Sequence, residues 1–138
     1  MAGSLTKYGE SLVLDKLFNA NGQLPDDLYL GLATATMDDE DDLSSVQEED
    51  DGAYVRQPVT FTSPSDNGTN MEVENDSLIE FPSYAADADS GVTHAFITDA
   101  ESGTSGGIIS WMVLAESKTP SSGEKLTVPA GNFKITID

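Results

Sequence analysis

The chain has 138 residues, with 25 Asp and Glu against six Lys and Arg, one His and no Cys, for a formal net charge of −19 at pH 7. Its cations (Lys7, Lys16, Arg56, Lys118, Lys125 and Lys134) are scattered, so no basic patch is at hand for phosphate backbones or an anionic membrane surface. Without Cys there are no disulfides, thiolate nucleophiles or zinc sites of the usual kind.

The length suits a single domain over 1–138, which buries roughly two-thirds of its unfolded surface and sustains a core without staples. The stretch Met1 to Tyr8 lacks the apolar run of a secretory signal. The longest apolar run, Ile108 to Ala115, is far short of the ~20 residues that span a bilayer. A product soluble as made in the cytoplasm is expected.

The first element reads as a helix over about 4–19. Ser4 offers an N-cap oxygen, and Leu5, Tyr8, Leu12, Val13 and Leu17 draw one apolar stripe at period 3.6, widened by Leu14 and Phe18. Asn19-Ala20-Asn21-Gly22 supplies the stop. After Pro25 the period becomes two, with Leu28, Leu30 and Leu32 on one face of a strand and small residues on the other. The segment from about 37 to 52 then holds nine acids (Asp38, Asp39, Glu40, Asp41, Asp42, Glu48, Glu49, Asp50 and Asp51) and no base, which predicts an extended, solvated loop.

Further strands are predicted at Tyr54–Phe61, Leu78–Phe81, Gly91–Thr98, Ile108–Ala115, Lys125–Val128 and Phe133–Ile137. Pro58 assigns the first of these to a sheet edge, and the last reads as Phe133, Ile135 and Ile137 inward. Thr62–Asn70 has the composition of a surface loop, and glycine-bearing turns separate the later strands. Some seven short strands with one helix predict an all-β fold, an antiparallel sandwich or jelly roll with an N-terminal α-helix on an edge or end.

Sites are sparse. Asp87-Ala88-Asp89-Ser90-Gly91 resembles the start of a calcium loop, but the Gly comes one place early and Asp99 or Glu101 would have to close the site. Asp87 and Asp89 are therefore weak metal candidates. His94 reads as a half-buried strand residue, since no spacing brings Ser90 or Ser110 and a carboxylate to it. Trp111, Tyr29, Tyr54 and Phe96 would form a sugar platform only if exposed, and core packing is their default. Asn67-Gly68-Thr69 and Asn75-Asp76-Ser77 are glycosylation acceptor patterns. The Gly106-Gly107 pair reads as a hairpin turn rather than a phosphate cradle, because no Lys follows it. No catalytic constellation or cofactor site emerges.

The acidity itself points to high salt. Self-repulsion strains a folded chain of this charge at low ionic strength, and molar salt shortens the Debye length to about 3 Å. The hydrophobic content of 38% and the alternating strands argue against disorder.

Six blocks in order carry a family resemblance: Thr6 to Phe18, Leu28 to Leu32, Gly52 to Val59, Ile79 to Pro82, Val92 to Ala100 and Ala130 to Asp138. Together they resemble small virion proteins of tailed bacterial and archaeal viruses, which are labelled tail-fibre-like, minor tail or capsid-decorating proteins. The resemblance implies a non-enzymatic building block on the particle surface without cofactors. Its partners would be the major capsid protein or tail proteins and further copies of itself. A head decoration or turret subunit is the first expectation; a tail or tail-fibre protein and a host-surface carbohydrate-binding module are the alternatives. Leu5, Tyr8, Leu12 and Phe18, or the edge strand at Pro58, are the expected assembly contacts, with the acidic loop facing solvent.

Overall fold

A computed structural model describes residues 2–20 and 22–137. The chain opens on a strand, β1 (Ala2–Leu5), followed by the helix α1 (Lys7–Leu14) and a π-helical turn (Asp15–Asn19). The strands β2 (Leu28–Ala33), β3 (Gln57–Val59), β4 (Ser65–Asp66), β5 (Met71–Glu74), β6 (Ile79–Glu80), β7 (Val92–Thr98), β8 (Ile108–Lys118), β9 (Thr127–Val128) and β10 (Lys134–Ile137) complete it.

Eight strands share one hydrogen-bonded order, β3-β2-β7-β8-β1-β10-β5-β4, and β6 and β9 form a separate ribbon. The long order turns a corner at β1. Ser4 and Leu5 pair antiparallel with Trp111 and Ser110 of β8, whereas Ala2 and Gly3 pair parallel with Lys134 and Ile135 of β10. The fold is thus an all-β sandwich, as predicted, but β1–β10 is a parallel pair, and the strand that makes it takes up the first two residues of the expected helix, Ser4 and Leu5.

The helix begins three residues later than predicted because the backbone of Ser4 and Leu5 is engaged in the sheet. Thr6, not Ser4, is the N-cap: its Oγ1 accepts from Gly9 N at 3.0 Å, while its own N–H donates to Ile109 O at 2.9 Å. At the far end Ala20 takes the left-handed conformation at φ 60°, a position that glycine or asparagine fills more cheaply. Asn21, part of the predicted stop, lies outside the described residues.

The central strands are buried on both faces, and alternate side chains build two cores. On one face Leu30, Leu32, Ala95, Ile97 and Met112 pack with Ile79, Phe81 and Val128 of the ribbon and with Phe133. On the other, Ala33, Phe96 and Ile108 pack with Met37 and Leu43. Gly31 makes the second arrangement possible, since a Cβ there would meet Phe96 Cζ at 2.2 Å.

Met37 and Leu43 belong to the acidic segment, which corrects the prediction of an extended, solvated loop. Met37 and Leu43 are 3% and 4% exposed, and Val46 packs beside them, so the segment roofs one face of the sheet. Its acids are largely spent on its own backbone. Asp38 Oδ1 accepts from Glu40 N, Asp41 Oδ2 from Asp38 N, and Asp42 Oδ1 from the N–H groups of Ser44 and Ser45. These are the local side-chain turns that Asp favours.

Other predicted strands are present, most of them trimmed at their ends, whereas β8 runs three residues past the predicted Ile108–Ala115. β3 is an edge strand with Pro58 exposed on it, as the proline demands. The predicted 62–70 loop carries the short strand β4, which forms a hairpin with β5. Ile137 is 57% exposed, so of the final strand's inward set Phe133 is fully buried, Ile135 is half-buried and Ile137 faces out.

Candidate interaction surface

The largest polar cluster is internal. Arg56, whose side chain is 5% exposed, donates Nε to Glu48 Oε1 at 2.8 Å and Nη2 to Glu48 Oε2 at 2.7 Å. Its remaining reach goes to the carbonyls of Ala100 and Gly103, each at 2.9 Å. Tyr54 donates to Glu48 Oε1 at 2.7 Å and accepts from Leu32 N at 3.0 Å. The carboxylate partner raises the Arg56 pKa further, and burial above all pushes the Tyr54 phenol up. A second tether joins Tyr84 to Glu49 at 2.8 Å, and Asp51 accepts from the N–H groups of Ala53, Ala85 and Ala86. Those backbone donors, that of Ala85 foremost, hold the Asp51 carboxyl below its ordinary range. The bonds of Glu48 with Arg56 and Tyr54, of Glu49 with Tyr84 and of Asp51 with Ala85 and Ala86 fasten the acidic segment to the sandwich.

The sugar platform does not form. Phe96 is fully buried, Tyr54 is stacked on Phe81 with ring centroids 6.0 Å apart, and Trp111 lies against the second core with Nε1 donated to Asp39 Oδ1 at 3.1 Å. Tyr29 is half-buried on the second strand. His94 is 7% exposed; it shares a 2.7 Å hydrogen bond with Thr93 Oγ1 and sits 5.7 Å from the Trp111 ring. Burial lowers its pKa, and among the described residues the neighbouring Thr93 hydroxyl is its one side-chain hydrogen-bond partner.

Asp87 and Asp89 are exposed, and Asp87 Oδ1 accepts from Ser122 N at 2.8 Å. Among the described residues no three His, Asp or Glu side chains converge as a metal set. Of the two acceptor asparagines, Asn67 is exposed in the β4–β5 turn, where its Oδ1 accepts from Thr69 N and Asn70 N. Asn75 is 1% exposed. It donates Nδ2 to the carbonyls of Ser77 and Pro129 and accepts from Phe133 N. Those bonds leave no room for a glycan on the folded chain, which corrects the expectation for Asn75.

The expected contact residues fall in different places. Leu5 is half-buried in β1 and Leu12 half-buried in α1. Tyr8 lies over Gly107, where a Cβ would meet the Tyr8 ring at 2.4 Å, and donates to Asp99 Oδ2 at 2.6 Å. The Asp99 bond pushes the Tyr8 pKa up to about 12. Phe18 alone of the helix set is broadly exposed, at 80%, and Leu17 and Leu14 join it at 69% and 56%. Three apolar side chains at helical spacing thus face outward, and the open edge strand that carries Pro58 lies apart from them, at one end of the long strand order.

A second open feature lies where the long sheet divides. Beyond Trp111, β8 continues to Lys118 without β1 beside it. The gap forms a groove of about 460 Å³ lined mainly by apolar side chains, among them Leu32, Phe81, Met112, Leu114 and Leu126. Among the described residues no helix is long and apolar enough to cross a membrane.

The described residues thus present an anchored all-β body with exposed apolar points. The family model described as Podophage GP4 fiber I protein gp80 matches residues 4–136. No curated protein matches the chain.

Proposed function

The chain belongs to the podophage GP4 fibre I protein gp80 family, and from that premise we propose that it is a fibre subunit which acts through repeated protein contacts and carries out no chemical step. The observation that carries this reading is the extent of the match, which takes in every element from the end of β1 to β10. A virion structural protein of a tailed virus follows from the family. The head-decoration role expected from the sequence draws no support from a fibre family, and the tail-fibre alternative does.

Repetition is the physical basis of such a role. Weak contacts become strong when many copies are held on one scaffold, because each later contact forms at a high effective concentration. The exposed edge β3 and the unpaired half of β8 offer backbone for pairing between copies. Homo-oligomers built through those edges, mounted on other tail proteins at the particle surface, are the arrangement we propose. The net charge of −19 further supports adaptation to high salt.

Mass spectrometry of purified particles, followed by gold-labelled antibody against this chain in electron micrographs, tests the placement. Label on the tail or its fibres is expected. Label confined to the head, or a chain missing from particles, overturns it.

A further inference from the structure

We propose that the outward face at the end of the N-terminal helix, with the acidic hollow beside it, docks a basic amphipathic helix from a different protein. This inference rests on the fibre-subunit reading only for where that partner comes from.

Leu14, Leu17 and Phe18 stand at i, i+3 and i+4, the spacing that places side chains on one helical face. The π-helical turn that holds the last two ends on left-handed Ala20, and all three side chains are exposed by more than half. Contiguous apolar residues left in water on a folded domain mark an interaction surface. A helix has no free backbone edge to share, so whatever covers this face engages by side chains, most simply as a second helix laid along the first.

The chain then turns back. Gly22 is tucked against Asp15 and Lys16, where a Cβ would meet backbone at 2.8 Å, and Pro25 follows within roughly 10 Å of extended chain. From Pro25 the wall of a hollow of about 450 Å³ begins, lined by Asp26, Asp27, Tyr29, Asp99 and Glu101 and by no cation. Tyr8 of α1 donates to Asp99, which lines the hollow, so the start of the helix is tied to that wall. An apolar stripe beside a pocket of four carboxylates matches a partner helix with one apolar face flanked by Lys or Arg.

A second copy of this chain does not fit that description. Lys7 is paired with Glu40, Arg56 with Glu48, Lys118 with Glu116, Lys125 with Glu80, and Lys134 with Glu72 and Glu74. Among the described residues Lys16 is the one cation without such a pair. A copy would bring 19 net negative charges to an acidic hollow and almost nothing to neutralise it, which disfavours the encounter as well as the contact.

The test uses the full chain and a fluorescein-labelled synthetic helix of Leu and Lys, about five turns long, with the Leu on one face. A peptide of the same composition with the Leu scattered serves as its control. Anisotropy at physiological salt is expected to show binding of the first peptide and much weaker binding of the second. Leu17→Ser with Phe18→Ser, both on exposed side chains that the fold does not need, should weaken it about tenfold or more, as loss of a central anchor does. Asp26→Asn with Asp27→Asn should weaken it too, whereas Asp50→Asn with Asp89→Asn, an equal charge change elsewhere, should not.

Equal binding by the scrambled peptide, or equal losses in both acid pairs, would reduce the effect to bulk charge and overturn the proposal. So would sedimentation in which the parent chain is a dimer and the Leu17/Phe18 variant a monomer, because a second copy would then be the occupant. The peptide assay needs no particle, so its failure leaves the fibre placement to be judged by the labelling experiment.

Discussion

Arg56 grips both oxygens of Glu48, at 2.8 and 2.7 Å, across the junction between the acidic segment and the sandwich. The pair is desolvated on the arginine side and its spare donors are taken by two carbonyls. Removing one partner of such a pair strands the other. Arg56→Ala is expected to cost about 3–5 kcal/mol, read as a fall in the urea midpoint. Arg56→Lys should recover little, since an ammonium cannot form the two-pronged contact. A double variant, Glu48→Gln with Arg56→Met, that is no more stable than Arg56→Ala would show that the ion pair is not what holds the junction.

Asn75 ties the connection after β5 to the turn between β9 and β10 with its side chain alone. Asn75→Ala leaves the Phe133 N–H and two carbonyls without their partner, and a buried unsatisfied group costs roughly 1–3 kcal/mol. Thermal unfolding of that variant should fall accordingly, while Asn67→Ala, in an exposed turn, should change little. In a glycosylating host, intact-mass measurement should find any glycan on Asn67 and none on Asn75.

The single histidine gives a clean pH signature. Burial holds the His94 pKa below the usual 6.5, so the unfolded chain takes up this proton first as pH falls. Stability is therefore full above about pH 6.5 and declines below it, levelling off once the native imidazole also protonates. One-dimensional NMR should show the lone imidazole resonance titrating below 6.5. His94→Gln should flatten that part of the stability profile; an unchanged profile would assign the dependence to the carboxylates.

Salt should stabilise the protein as a whole. Five of the six ion pairs involve partly or fully exposed lysines and contribute little, so screening them loses less than screening the general repulsion gains. The melting temperature is expected to rise steadily from low to molar NaCl. A flat response would sink the high-salt reading.

Gly9 is where α1 lies against β8. A Cβ there would sit 2.3 Å from Ile109 O, and that atom is backbone and cannot swing away. Gly9→Ala should cost roughly 1–3 kcal/mol through overpacking, although alanine is the better helix former. Increased amide exchange at Ser110 and Ile109 would place the damage at this contact.

Much of the architecture was legible because its central strands repeat a simple pattern. Leu28-Leu30-Leu32 with Gly31 between them announced a strand buried on both sides, and Pro58 announced an edge. The strand β1 was not legible, since Ala2-Gly3-Ser4-Leu5 has no alternation of its own and takes its form from β8 and β10. The acidic segment misled for a related reason. Nine carboxylates dominate its composition, yet Met37, Leu43 and Val46 decide where it goes, and its acids mostly cap its own turns. Arg56 gave no signal as a lone cation. Only the fold brings Glu48, Tyr54, Ala100 and Gly103 around it. The exposed end of the helix was half visible: Phe18 stood out, but the π-helical turn that follows Leu14 and carries Leu17 outward left no mark on the spacing.

The corner strand also sets the order of events during synthesis. Ala2 and Gly3 find their partners in Lys134 and Ile135, almost the whole chain later, and Leu5 finds Ser110. β1 must wait for residues about 130 positions further along before its pairing is complete. Loop closure over that span is slow, so the sandwich completes only once β10 has been made. Until then β8 carries an open edge, at which crowded nascent chains can exchange β1.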